Sequence, residues 1–224
     1  MGVIETLGAA LSYLLSHFDT FLGLLQEHLT LVLVSVALAI IVAVPLGIAA
    51  TRNEHVKRMV LGIGNVAQTI PTLAIIALVF PLLGLGFLPS LVGLFAYALL
   101  PILTNTVTGL ENVDESTVAA ARGMGMTENQ ILRKIKLPLA LPVIFAGIRT
   151  SAVLNVGTAY LAFFIGGGGL GVWVITGIYL FNTPQLLAGA IPGALLAISL
   201  DSLFALLERH LGSDTLQDQS VVTG

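Results

Sequence analysis

The chain has 224 residues, of which 56% are hydrophobic and only 9% charged, and its mean hydropathy is +1.00. Soluble domains carry about 25% charged residues, so a surface this poor in charge excludes water as the main solvent and makes lipid the expected one. The net charge of −3 says little, whereas the absence of cysteine excludes both a disulfide scaffold and a thiolate metal site.

His17, His28, His55 and His210 are scattered without ligand spacing, so no metal is expected. The N-terminus has no basic run of the kind that opens a cleaved signal peptide. It formally fits a myristoylation pattern, which a chain with several membrane crossings has no use for. Residues 1–28 carry Glu5, His17, Asp19, Glu27 and His28, too many interruptions for a crossing. Leu7, Leu11, Leu14, Leu15 and Phe18 nevertheless recur at helical spacing, which predicts an amphipathic helix on the outer membrane interface.

A crossing needs about 20 apolar residues. Residues 29–50 contain no charge and form the first predicted span. Residues 59–110 are also uncharged and long enough for two, divided by the glycine and proline cluster at 82–89 into spans 60–82 and 88–109. A fourth span covers 139–163 and holds one charge, Arg149; it ends at Gly166-Gly167-Gly168-Gly169. Residues 170–181 are short for a crossing and carry Trp173 and Tyr179, which predicts a second interfacial helix. The fifth span covers 185–207. The membrane domain is therefore 29–208, and the polar tail 209–224 is expected to lack order beyond Gly212.

This all-α, five-span reading makes a testable demand on charge. It puts 51–59, 110–138 and 208–224 on one side, and Arg52, Lys57, Arg58, Arg122, Arg133, Lys134, Lys136 and Arg209 all fall there. The opposite side, residues 1–28, 83–87 and 164–184, has no Lys or Arg. The positive-inside rule makes the first side cytoplasmic and places the N-terminus outside.

The longest polar interruption, 111–142, reads as a pair of short helices. The first opens near Asp114 to Thr117, whose side chains accept hydrogen bonds from a helix start. It runs through Ala119-Ala120-Ala121 and stops at Gly123-Met124-Gly125, where glycine permits the left-handed turn. The second starts with a capping box, Thr127 and Gln130, lines one face with Ile131, Leu132 and Ile135, and ends or kinks at Pro138. A knob whose apex is all small residues suits insertion into a cleft; the plainer reading is a solvated helical hairpin.

Ala119-Ala120-Ala121, then three residues to Gly125, then nine residues to Ile135-Lys136-Leu137-Pro138, is a spacing that resembles a known loop. Permease subunits of binding-protein-dependent ABC importers carry a cytoplasmic loop of the form EAA, three residues, G, nine residues, I-x-L-P. One position departs, since the family's leading glutamate is Ala119 here; Glu115, one turn earlier, offers a carboxylate in its place. The segments from Gln68-Thr69-Ile70-Pro71 to Ala74, from Glu111-Asn112-Val113 to Thr127, and from Gly166 to Gly171 resemble the osmoprotectant subgroup, which carries glycine betaine, carnitine and choline. The resemblance covers about residues 25–210.

What the resemblance implies is a type I importer permease with five spans, multi-pass in the bacterial inner membrane. Ala119, Ala120, Ala121, Gly123, Gly125, Met126, Ile135, Leu137 and Pro138 would couple it to a cytoplasmic ATPase. Its partners would be two ATP-binding subunits, a second permease subunit (a copy or a paralogue) and an external substrate-binding protein, with no nucleic acid. ATP would bind to the ATPase, leaving no cofactor and no catalysed reaction in this chain. The residues agree: there is no GxxxxGK[ST] phosphate loop, and Gly166 to Gly171 lacks its lysine.

Pro71 lies mid-span, where it frees a backbone carbonyl, and such backbone is tolerated facing protein or a water-filled cavity. Gln68, Thr69, Pro71, Asn105, Asn155 and Tyr160 are therefore candidates for the wall of a translocation path, with Thr72 and Thr158 near them; helix–helix hydrogen bonding is the alternative. Arg149 and Asp201 fall in the cytoplasmic third of the bilayer on antiparallel spans and are expected to pair. Competing functions are an importer for methionine or another amino acid, with the same loop, and an ion-driven secondary transporter. The latter predicts inverted repeats and a mid-membrane carboxylate, and neither is visible. An intramembrane hydrolase is disfavoured because no histidine falls within a predicted span.

Overall fold

The structure is a computed structural model that describes residues 2–222, with side chains through Glu208. The helices are α1 Val3–Ser16, α2 Phe18–Ala50, α3 Glu54–Thr69, α4 Thr72–Leu83, α5 Phe87–Glu111, α6 Glu115–Gly123, α7 Glu128–Ile131, α8 Leu137–Thr158, α9 Gly171–Tyr179 and α10 Thr183–Val222. No strand occurs among the described residues. Four segments are long and apolar enough to cross a membrane, or five when the α3–α4 pair, bent by 96°, is counted as one broken span.

The helix of the first crossing begins earlier than its uncharged stretch. α2 spans 33 residues, about 50 Å at 1.5 Å per residue, against a hydrocarbon core of about 30 Å. The groups that interrupt it each find a place, although the buried Nδ1 of His28 has no hydrogen-bond partner among the described residues. Asp19 sits in the first turn, where the helix dipole favours a carboxylate. Glu27 accepts the Gly169 N–H at 2.9 Å. His28 is fully buried, with Nε2 donating to the Val156 carbonyl at 3.1 Å and its ring edge-on to Tyr160. A histidine does lie inside a spanning helix, contrary to the sequence expectation.

α1 is a separate helix, as its periodicity predicts, and it lies along the N-terminal part of α10. Leu7, Ala10, Leu11 and Leu14 face Leu187, Ala188 and Ile191 across an apolar crevice. α9 also packs on α10, and its Trp173 is only 3% exposed, enclosed by Tyr13 and Phe21. Trp173 thus packs against protein, where the aromatic rings of Tyr13 and Phe21 converge on it. Tyr179 does stay exposed. The backbone of α10 continues to Val222, where the polar composition predicts no order.

The core is a stack of small and branched residues shared by α2, α5 and α8, including Ala39, Ala43, Ala98, Ile102, Ile144 and Ile148. Small residues let helices in lipid approach closely enough for dispersion to hold them. At Gly147 of α8, an added Cβ would sit 2.7 Å from Asn105 Cβ and 2.7 Å from the Pro101 carbonyl on α5. Neither atom belongs to a flexible side-chain end. Gly147→Ala is expected to destabilise the bundle by about 1–3 kcal/mol, read as a lower midpoint of thermal aggregation in detergent; an unchanged midpoint would contradict this packing.

Two ends of the bundle emerge. At one, Arg52 Nη2 donates to Asn129 Oδ1 at 3.0 Å and Lys57 Nζ reaches Glu111 at 2.8 Å, so the α2–α3 corner, the end of α5 and the loop meet. At the other, the Gly86 N–H donates to the Ile165 carbonyl at 2.7 Å and Glu27 holds Gly169. The basic residues predicted to share a side do converge on the first end, Arg209 lying beyond the described side chains.

Candidate functional site

The knob at the basic end is built by caps. Asp114 caps α6 by accepting the Thr117 N–H at 3.0 Å. Hydrogen bonds from the Ser116 hydroxyl and then the Thr117 N–H hold its carboxyl below the usual range. α6 ends as glycine allows: the Met126 N–H reaches back to the Ala121 carbonyl at 3.1 Å, and Gly125 takes φ +80°. The Thr127–Gln130 capping box opens α7, with both reciprocal bonds present. Arg122 and Glu128 bridge the two helices at 2.8 Å, which raises the guanidinium's pKa and lowers the carboxylate's.

The second loop helix does not end at Pro138. α7 runs through a π-helical turn, Leu132–Lys136, into α8, with the Leu137 N–H bonding to the Leu132 carbonyl. Proline's ring clashes with the carbonyl four residues back, and a wider turn immediately before Pro138 relieves that clash without stopping the helix. The loop is thereby joined rigidly to the fourth crossing.

The sequence-predicted coupling residues divide into two sets. Val118, Ala121 and Ile131 form a small core with Met126 and Ile135 against it. Ala121, Met126 and Ile135 therefore hold the knob together, and Leu137 and Pro138 are half-buried where it joins α8. Ala119, Ala120, Gly123 and Gly125 are exposed, and Met124 beside them is 75% exposed. A Cβ added at Gly123 or Gly125 meets nothing within 4 Å. Met124 escapes sequence reasoning because it occupies no fixed position of the spacing. Glu115 and Ala119 line one open groove with Arg122 and Lys136.

The path candidates also separate. Gln68 Nε2 lies 3.5 Å from the Tyr97 carbonyl, Thr69 is exposed with its hydroxyl on the Val66 carbonyl at 2.7 Å, and Pro71 is exposed at the break between α3 and α4. Asn105 is half-buried and donates to the Pro101 carbonyl at 2.8 Å. Asn155 is corrected: it is 0% exposed and donates to Ser35 Oγ at 2.8 Å and the Leu94 carbonyl at 3.2 Å, knotting α8 to α2 and α5 instead of facing a path. Tyr160 likewise turns inward, its hydroxyl on the Gly189 carbonyl at 3.1 Å. Both placements follow from which neighbour the side chain meets, Asn155 fully buried and Tyr160 half-buried, and a residue's depth along a helix gives no warning of them.

Arg149 meets Asp201 with two bonds, Nε to Oδ1 at 2.6 Å and Nη2 to Oδ2 at 2.8 Å. Glu208 lies 3.6 Å from the same guanidinium, a partner the sequence did not suggest. No group of metal-ligating side chains occurs among the described residues.

The structure thus places a small-residue knob on the basic side of an apolar helical bundle and fixes it to one crossing. Residues 35–213 match the profile of the family described as "Binding-protein-dependent transport system inner membrane component". The chain belongs to that family, and is thus a multi-pass inner-membrane component of a transport system that works with a binding protein.

Its relatives include the glycine betaine/carnitine/choline transport system permease protein OpuCB of Bacillus subtilis, 45% identical over 88% of this chain and 91% of the relative. The choline transport system permease protein OpuBB of the same organism is 46% identical over 83% of this chain and 85% of its own length. The osmoprotectant import permease protein OsmW of Salmonella typhimurium is 42% identical over 88% and 94%. Among solved structures, a chain of the inward-facing MetNI methionine ABC transporter has a TM-score of 0.81, covering 88% of this chain and 98% of that one at 22% identity. At that identity the likeness is one of fold: the type I importer permease fold.

Proposed function

We propose that this chain is the permease subunit of an ATP-driven importer of osmoprotectants such as glycine betaine, carnitine or choline. The cargo rests on sequence relatives carrying those names at 42–46% identity. The mechanism rests on one observation of the chain itself, the uncovered apex of Ala119, Ala120, Gly123, Met124 and Gly125. Two cytoplasmic ATPase subunits grip this apex in each of two permease subunits, and ATP stays with them. Their closure moves α6, and the unbroken run from α7 through the π turn into α8 carries that displacement into the membrane. A switch of this kind requires the loop to make different contacts in the two states, which an all-small apex permits because it can slide within a cleft.

In this orientation the basic end faces the cytoplasm, the N-terminus lies outside, and a binding protein delivers cargo to the outer end. Gln68, Thr69 and Pro71 line the path, since Thr69 and Pro71 are exposed at a helix break and Gln68 borders them. The test is uptake into proteoliposomes of the assembled complex, using radiolabelled glycine betaine, carnitine, choline and methionine. ATP-dependent accumulation of at least one of the first three, without methionine, is expected. Methionine uptake alone would reassign the cargo, and uptake without the ATPase would overturn the mechanism.

A further inference from the structure

The break between α3 and α4 leaves polar backbone uncovered at membrane depth. Ile70 and Pro71 are extended (ψ 124° and 135°), and Pro71 has no N–H to return to Ala67. The carbonyls of Ala67, Gln68 and Thr69 accept no backbone N–H among the described residues. α3 has 16 residues, so this end stands about 24 Å along the helix from its cytoplasmic start. No residue of α3 is buried, and Asn65 and Thr69, one turn apart, are both exposed. Such groups are not stable against lipid; they face protein or a water-filled cavity.

One aromatic side chain belongs to this place. Gly93, Tyr97 and Leu100 share a face of α5, being separated by four and three residues. Gly93 abuts Ile76 and Thr72 of α4, and Leu100 abuts Gly64 of α3. Tyr97 therefore falls opposite the break, consistent with Gln68 approaching its carbonyl. It is half-buried, and its hydroxyl makes no hydrogen bond among the described residues. No Asp, Glu, Lys or Arg occurs between Arg58 and Glu111.

We propose that Tyr97 and the carbonyl end of α3 form a transient station for the quaternary ammonium group of the cargo; this rests on the osmoprotectant reading above. A trimethylammonium has no N–H to donate, so hydrogen-bond acceptors alone select it poorly. An aromatic face attracts it through the ring quadrupole, and the C-terminal end of a helix carries a partial negative charge of about half an electron. With no carboxylate nearby the attraction stays weak enough for release, as a transport path needs.

The chain has no cysteine, so Thr69→Cys, exposed at the carbonyl end of α3 with Tyr97 left intact, supplies a single reporter thiol in this subunit of the assembled complex. A trimethylammonium-bearing methanethiosulfonate is expected to label it, and choline to slow labelling at least fivefold. The uncharged isostere 3,3-dimethylbutanol should not. In proteoliposomes Tyr97→Phe and Tyr97→Trp should transport choline within about twofold of wild type, and Tyr97→Leu roughly tenfold more slowly. Should Tyr97→Leu fail to assemble, the labelling result decides. Absent labelling, labelling indifferent to choline, or a Tyr97→Leu complex as fast as Tyr97→Phe overturns the site alone. A wild-type complex that accumulates no osmoprotectant overturns the cargo assignment first.

Discussion

Gly123→Leu is expected to slow ATP-driven uptake roughly 10- to 100-fold while the permease itself folds and inserts normally. Nothing in the chain lies within 4 Å of a Cβ at this position, and Gly123 is not among the glycines with positive φ. The substitution should even favour α6, since glycine within a helix is less stable than other residues by up to about 1 kcal/mol. Any damage must then come from what the apex touches. A leucine projecting from a knob gripped by the ATPase forces misfit at a packed contact, and overpacking of that kind costs about 1–3 kcal/mol. In a coupling step the same energy lowers turnover by roughly 10- to 100-fold. Gly125→Val separates the effects, because φ +80° strains any β-branched residue within the loop itself. Copurification of the ATPase with permease and ATP-driven uptake are the readouts. Full uptake by Gly123→Leu would show that the apex is merely solvated.

Asp201→Ala should weaken assembly more than Glu208→Ala, and a simple exchange of Arg149 and Asp201 should rescue it only in part. The bidentate contact between Arg149 and Asp201 is the tighter one, with Glu208 at 3.6 Å. Removing one partner leaves the other charge without its counter-ion on a spanning helix. The side chains of Arg149 and Asp201 are 34% and 43% exposed in this chain, so the expected loss is smaller than for a fully buried pair. In the exchanged protein a carboxylate at 149 would stand near Glu208 and be repelled. Adding Glu208→Gln to the exchange should restore the yield of monodisperse protein in detergent. If the triple variant is no better than Asp201→Ala, the two residues are not an energetic pair.

Charge placement made the span count and the basic end legible. Nothing folds a charge-free run of 20 residues more cheaply than a membrane crossing, and basic residues then sort by side. The caps of the knob were legible for a similar reason: Asp114, Thr127, Gln130 and Gly125 act within four residues of themselves, so their chemistry is local. The continuity of α7 with α8 was not, because a proline reads as a stop unless a π turn precedes it, and no residue type encodes that turn.

The sequence by itself determined that this is a lipid-embedded helical chain, where it crosses, and that a small-residue loop hangs on its basic side. Those properties follow from hydropathy, charge and short-range hydrogen bonding. Tertiary structure decided the burial of His28, Asn155 and Trp173, the continuity of residues 18–28 with the helix of the first crossing, and the pairing of Tyr97 with the α3–α4 break. It also decided which loop residues, Ala121 and Met126 among them, face inward. Each depends on which face of a helix meets which neighbour, at separations that reach 61 residues where Asn155 meets Leu94. A periodic apolar pattern cannot specify that in lipid, where every face is hydrophobic.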